Sequence, residues 1–150
     1  MFGKGYRLYK REKLCSVTAI ERLFKCKVRS AGHKARLTSE LGSELVYPVR
    51  MVYALNERRN GPLKFLISVP KKRIRHAVDR VTMRRRIRES YRMARGPVEN
   101  LNDVFLKPVD VAFIYVADEM CNYRRVEKAM FRLVAKLSEI YSNTQNTPGT

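Results

Sequence analysis

Acidic residues are scarce in this chain. Its 150 residues hold 14 Asp and Glu against 32 Lys and Arg, a formal net charge of +18. That imbalance points to a polyanionic partner, either nucleic acid or an anionic membrane surface, and says nothing about fold. Cysteine is also sparse. Cys15, Cys26 and Cys121 are odd in number, widely spaced and form no CxxC, which excludes a complete disulfide set. They read as reduced thiols in a cytoplasm. His33 and His76 are the two histidines, and neither has a neighbouring ligand at metal spacing, so zinc is not expected. The longest apolar run, Val111 to Ala117, is far short of the ~20 residues that span a bilayer. The first residues, MFGKGYRLYKREKL, are basic and polar with no apolar signal core, so the expectation is an unprocessed cytoplasmic protein with no membrane association.

Catalytic chemistry is missing too. There is no Gly-rich phosphate loop and no GxSxG elbow, and Ser, His and Asp do not cluster in a motif. Asp79 and Glu89 lie ten residues apart, nearly three helical turns, and are better explained as local charge partners than as an acid/base pair. Protein-borne catalysis is therefore not expected.

What the chain has is the stretch Lys71–Arg95, KKRIRHAVDRVTMRRRIRESYRMAR. Eleven cations face only Asp79 and Glu89, a net +9 in about a sixth of the length. At helical period Val78, Met83, Ile87, Tyr91 and Ala94 fall roughly along one side, able to pack on a core. Arg80, Arg84, Arg88 and Arg92 follow one another at i, i+4, flanked by Arg85 and Arg95. Like charges at that spacing oppose helix formation. Glu89 offsets part of this, from Arg85 four residues before it and from Arg92 three after. A phosphate backbone would relieve the rest, and the planar guanidinium suits that role. A merely solvated face usually mixes its signs.

The remaining chain, 45% hydrophobic in total, reads as one folded domain over 13–141, with a basic arm at 1–12 and a disordered tail at 142–150. Thr18 with Glu21 fits a capping box for a first helix carrying Ile20, Leu23 and Phe24. Residues 26–46 lack periodicity and read as a long surface loop, with room for a short strand. Val49, Met51, Tyr53 and Leu55 alternate as a strand, as do Leu63, Phe65, Ile67 and Val69. The short Arg58–Pro62 turn between them predicts an antiparallel hairpin. Gly96-Pro97 is expected to stop the basic helix, with 98–107 as a connector. Val109 to Val116 is apolar on both faces, hence an internal strand. Asn122 caps a last helix in which Val126, Met130, Leu133, Leu137 and Ile140 form an amphipathic stripe. The expected fold is α+β: a two-layer α/β sandwich, one mixed sheet of about four strands with three helices, in the order αβββαβα.

From Lys13 to Ile140 the chain resembles the protein component of bacterial ribonuclease P. The residues that carry the likeness are Ser68-Val-Pro-Lys-Lys72, Ala77-Val78, Arg80, Arg84-Arg85 and Arg88-Glu89. They match the family's strand ending in Ser-Lys-Lys, its Ala-Val pair, and its Arg-Asn-Arg block followed by Lys-Arg and Arg-Glu. Outer matches are Leu14, Leu23-Phe24, Tyr53 and Asp110. The family's central Asn is Val81 here, the next Arg is Thr82, one aromatic of the first helix is Ile20, and 26–46 is longer than usual.

The resemblance implies a ribonucleoprotein endonuclease that removes the 5′ leader of precursor tRNA, with catalysis in the RNA subunit and Mg²⁺ held mainly by that RNA. It implies a left-handed crossover around the basic helix. It also implies docking onto the catalytic RNA through Lys71, Lys72, Arg80, Arg84, Arg85, Arg88 and Arg92. Ile20, Phe24, Arg50, Tyr53 and Phe65 are then the expected lining of a leader cleft. A second reading, a ribosomal or ribosome-assembly RNA-binding protein, shares the charge, the sandwich and the lack of catalytic residues. DNA binding is not expected, because no helix-turn-helix partner precedes the basic helix.

Overall fold

The structure, a computed structural model, describes residues 12–25, 41–55, 63–99 and 109–143. Residues 26–40 of the expected 26–46 loop, the Arg58–Pro62 turn, residues 100–107 of the expected 98–107 connector and most of the basic arm and tail lie outside them. Seven elements follow in order: α1 (Val17–Lys25), β1 (Leu41–Val46), β2 (Val49–Leu55), β3 (Lys64–Ser68), α2 (Ala77–Glu99), β4 (Val109–Tyr115) and α3 (Tyr123–Asn143). The order αβββαβα is the expected one. β1 occupies the end of the segment read as loop, and α3 reaches two residues into the expected tail.

The sheet runs β1-β2-β4-β3. β1 and β2 pair antiparallel around the Tyr47-Pro48 turn, and β2 pairs antiparallel with β4. β3 pairs with β4 and is parallel to it, with α2 as the crossover. The expected β2–β3 hairpin does not form. β4 is buried along nearly its whole length, and so hydrophobic a strand goes to the interior, between β2 and β3. Turn length favours a hairpin, but burial of β4 outweighs it.

Strand alternation divides the molecule. On one face Val49, Met51, Tyr53, Phe65, Val111, Phe113 and Tyr115 pack against Met83, Ile87, Tyr91 and Ala94 of α2 and Val126, Met130, Leu133 and Leu137 of α3. Tyr91 anchors α2 between two rings, 4.6 Å from Phe65 and 5.3 Å from Phe113 by centroid. On the other face Ala54, Ala112, Val52 and Leu66 receive Leu14, Ala19, Leu23, Ile20 and Phe24. The small residues Ala54 and Ala112 let α1 approach closely. The chain before α1 also extends the sheet, since Lys13 bridges Phe65 in parallel and the Leu14 N–H donates to the Phe65 carbonyl at 2.9 Å.

Helix ends follow local chemistry. Asn122 Oδ1 accepts from the Arg125 N–H at 3.0 Å, the expected cap of α3. At α1 the cap is Ser16 rather than Thr18: its Oγ accepts from the Ala19 N–H at 3.5 Å and its carbonyl from the Ile20 N–H at 3.0 Å. Helix α2 passes through Gly96-Pro97 to Glu99 instead of stopping. Gly96 is buried there, and tertiary packing outweighs intrinsic propensity.

Candidate nucleic-acid interface

Four buried residues fix the rotation of α2. With Met83, Ile87, Tyr91 and Ala94 at 1% exposure or less, the opposite side of the helix must face solvent. Val78, expected on the packing side, is 77% exposed. It lies five residues before Met83, and at about 100° per residue that turns it well away from the sheet, among the arginines.

The arginines divide by what they touch. Arg84, Arg85 and Arg88 are exposed and have no carboxylate partner among the described residues. Together with Val81 they form one wall of a groove of about 390 Å³. Its other side is Lys13, Leu14 and Cys15, and its floor is Phe65, Leu66 and Ile67 of β3. Lys13, the first residue of the expected domain and not among the expected contact residues, is thereby brought opposite the α2 arginines. The signal for that was the bridge to β3, which no local pattern encodes. Lys71 and Lys72 are exposed in the turn that follows β3, near the start of α2.

The other expected contact residues are already engaged. Arg80 Nη1 donates to the Ile74 carbonyl at 3.1 Å and the Arg75 carbonyl at 2.7 Å, closing the turn that leads into α2. Arg92 makes a two-pronged bond to Glu89, at 2.5 and 3.0 Å. This bond holds the Glu89 carboxyl below its ordinary range, overcoming the opposite effect of burial. Arg95 pairs with Glu12, Arg86 Nη1 donates to the Cys121 carbonyl at 2.7 Å, and Arg73 pairs with Asp118 at 2.9 Å. The arginines of α2 are thus two populations: four that brace the helix, and three that stand free beside the groove. Val81 and Thr82 add no outward polar group, because the Thr82 hydroxyl donates to the Val78 carbonyl at 3.0 Å.

The five residues expected in a leader cleft do not share one surface. Ile20 and Phe24 are half-buried on α1, and Arg50 is exposed on the strand face that α1 covers. Tyr53 and Phe65 point to the opposite face, into the α2–α3 core, at 3% and 4% exposure. The reason is the two-residue period of a strand: Arg50 and Tyr53 are three positions apart, so they project to opposite sides. Burial pushes the Tyr53 hydroxyl above its ordinary pKa, with Glu44 adding to the effect. The half-buried apolar residues of the α1 face are instead Ile20, Phe24, Val52 and Leu66, with Arg50 and its neighbour in register, Ile114, farther along. Val52 and Leu66 were available to strand alternation once α1 was placed.

Among the described residues no three His, Cys, Asp or Glu side chains come together as metal ligands. No described helix is long and apolar enough to cross a membrane.

Comparison with known proteins agrees with this architecture. Ribonuclease P protein components from two strains of Porphyromonas gingivalis are each 39% identical over 98 residues, covering 63% of this chain and 69% of theirs. The Staphylococcus aureus RNase P protein shares the fold at a TM-score of 0.56 and 18% identity, over 85% of this chain and 97% of that one. A mutant of it with defective mRNA degradation activity superposes at the same TM-score of 0.56, covering 90% of that chain. The sequence profile of one family, Ribonuclease P, matches residues 8–138, and the chain belongs to that family.

Proposed function

We propose that this chain is the protein subunit of a ribonuclease P ribonucleoprotein, binding the catalytic RNA and the 5′ leader of precursor tRNA to support Mg²⁺-dependent 5′ end maturation. The observation that carries the reading is the groove at the β3 edge, with Arg84, Arg85 and Arg88 unneutralised on one wall and Lys13 on the other. Guanidinium groups with no internal carboxylate take phosphate oxygens in pairs. Folded RNA is read through its backbone and shape, which this surface suits. Lys71 and Lys72 extend the same positive field.

The α1 face supplies the second contact. Half-buried Phe24 and Ile20 beside Val52 and Leu66 offer an apolar platform, with Arg50 exposed nearby. An unpaired leader presents bases that stack on such a surface, and its phosphates reach the arginine. In this proposal Mg²⁺ and the cleavage chemistry belong to the RNA, and the protein binds and orients.

Reconstitution decides the matter. The chain, the catalytic RNA and precursor tRNA are combined at low Mg²⁺, where stimulation of 5′ cleavage over RNA alone is expected. No stimulation would overturn the assignment and favour a ribosomal or assembly RNA-binding role.

A further inference from the structure

Helix α3 carries a basic face of its own. Arg124, Arg125, Lys128, Phe131, Arg132 and Lys136 are all exposed along it. The first turn contains no acidic residue, although cations near a helix N-terminus oppose the helix dipole. Arg124, Lys128 and Arg132 follow at i, i+4, a spacing at which like charges repel. None of the three side chains has a hydrogen bond or ion pair with another described residue. The neighbours are partly engaged: Arg125 lies over the Tyr47 ring at 4.9 Å, and Lys136 is 3.5 Å from Glu44. Glu139 ends the positive stripe, and Glu127 is only half-exposed at its side.

The spacing chooses the ligand class. Four residues of helix rise about 6 Å, so Arg124 and Arg132 lie about 12 Å apart along the axis. A single phosphate or carboxylate cannot reach both, whereas a nucleic-acid strand carries a charge every ~3.4 Å. A membrane surface is a poorer match. An interfacial helix turns its apolar side to lipid, but Val126, Met130, Leu133 and Leu137 are fully buried beneath α3. Outside, Phe131 stands at 38% exposure amid the cations, the pairing of aromatic and positive charge that suits RNA.

We propose that the outer face of α3 is a second RNA-binding surface, with Arg124, Lys128 and Arg132 tracking a phosphodiester backbone and Phe131 contacting a base or sugar. It takes from the function proposed above only the class of partner. The face is separate from the other two surfaces: α3 lies over β1 and β2, the arginine groove opens at the β3 edge, and α1 covers the opposite side of the sheet. One protein would then hold RNA segments on more than one side.

Lysine footprinting of the full chain tests this, with and without an RNA hairpin carrying a single-stranded 5′ extension. RNA is expected to protect Lys128 as well as Lys71 and Lys72. Protection of Lys128 should persist in the variant Arg84→Ala/Arg85→Ala/Arg88→Ala. The variant Arg124→Ala/Lys128→Ala/Arg132→Ala should lower the salt slope of RNA binding by about two to three units. If Lys71 and Lys72 are protected while Lys128 stays reactive, the α3 surface is refuted and the groove stands. Protection of Lys128 by phosphatidylglycerol vesicles but not by the hairpin would replace RNA with a membrane and overturn the proposal. If no lysine is protected, the RNA-binding reading fails along with it.

Discussion

Glu12 and Arg95, 83 positions apart in the chain, form an ion pair in which both side chains are almost enclosed, at 6% and 12% exposure. The pair ties the segment that enters α1 to the far end of α2. Lys13 and Leu14, which follow Glu12, line the groove. The clamp therefore holds one wall of the groove in place relative to the other.

Removing one partner of that pair leaves the other charge in a poorly solvated place. Arg95→Ala is expected to destabilise the fold by about 3–5 kcal/mol, measured by urea unfolding. The double replacement Glu12→Leu/Arg95→Leu should cost much less than the single one. Equal losses would show that the ion pair itself, and not the desolvation of the charge left behind, dominates.

Gly42 lies opposite Tyr53 in the β1–β2 register, and a Cβ at Gly42 would meet the Tyr53 ring and hydroxyl. Gly42→Ala is therefore expected to displace the ring and cost about 1–3 kcal/mol as overpacking. A variant of unchanged stability would mean that Tyr53 turns aside freely, against its packing in the core.

Phe24 and Phe65 should separate by phenotype. Phe24→Ala, on the α1 face, is expected to weaken binding of precursor tRNA more than mature tRNA. Phe65→Ala and Tyr53→Ala empty the α2–α3 core and should each cost about 3–5 kcal/mol of stability with no such preference. A leader-specific defect in Tyr53→Ala with full stability would contradict the burial described above.

Arg84→Ala with Arg88→Ala should weaken RNA binding and reduce its salt slope by about one or two units, one phosphate released for each guanidinium. Arg80→Ala should instead loosen the turn before α2, because its guanidinium is spent on the Ile74 and Arg75 carbonyls. An unchanged slope in the Arg84/Arg88 variant would remove both from the interface.

Glu89 gives a pH test. Its folded carboxyl is held below the ordinary value by Arg92. The contribution is therefore present above the unfolded pKa and lost as pH falls through the lower folded one. At the surface such a pair contributes about 0.3–0.5 kcal/mol. Glu89→Gln should lower stability by that amount at neutral pH and by nothing in strong acid. A difference independent of pH would exclude the charge as its source.

Sequence periodicity was enough to identify the basic helix, the amphipathic last helix, the internal strand and the order of elements, because burial of alternate or every-third-and-fourth residues is a local requirement. The positive face of α2 was equally legible, since charge needs no partner in sequence to be counted. Three-dimensional pairing decided the rest. The place of β3 beyond β4, the arrival of Lys13 beside Arg84, and the loss of Arg95 to Glu12 all depend on residues distant in the chain. Tyr53 shows the boundary well: its alternation was visible, but which face of the sheet α1 would cover was not. That choice rests on small residues, Ala54 and Ala112, whose fit to a helix is a property of packed surfaces and not of any single stretch.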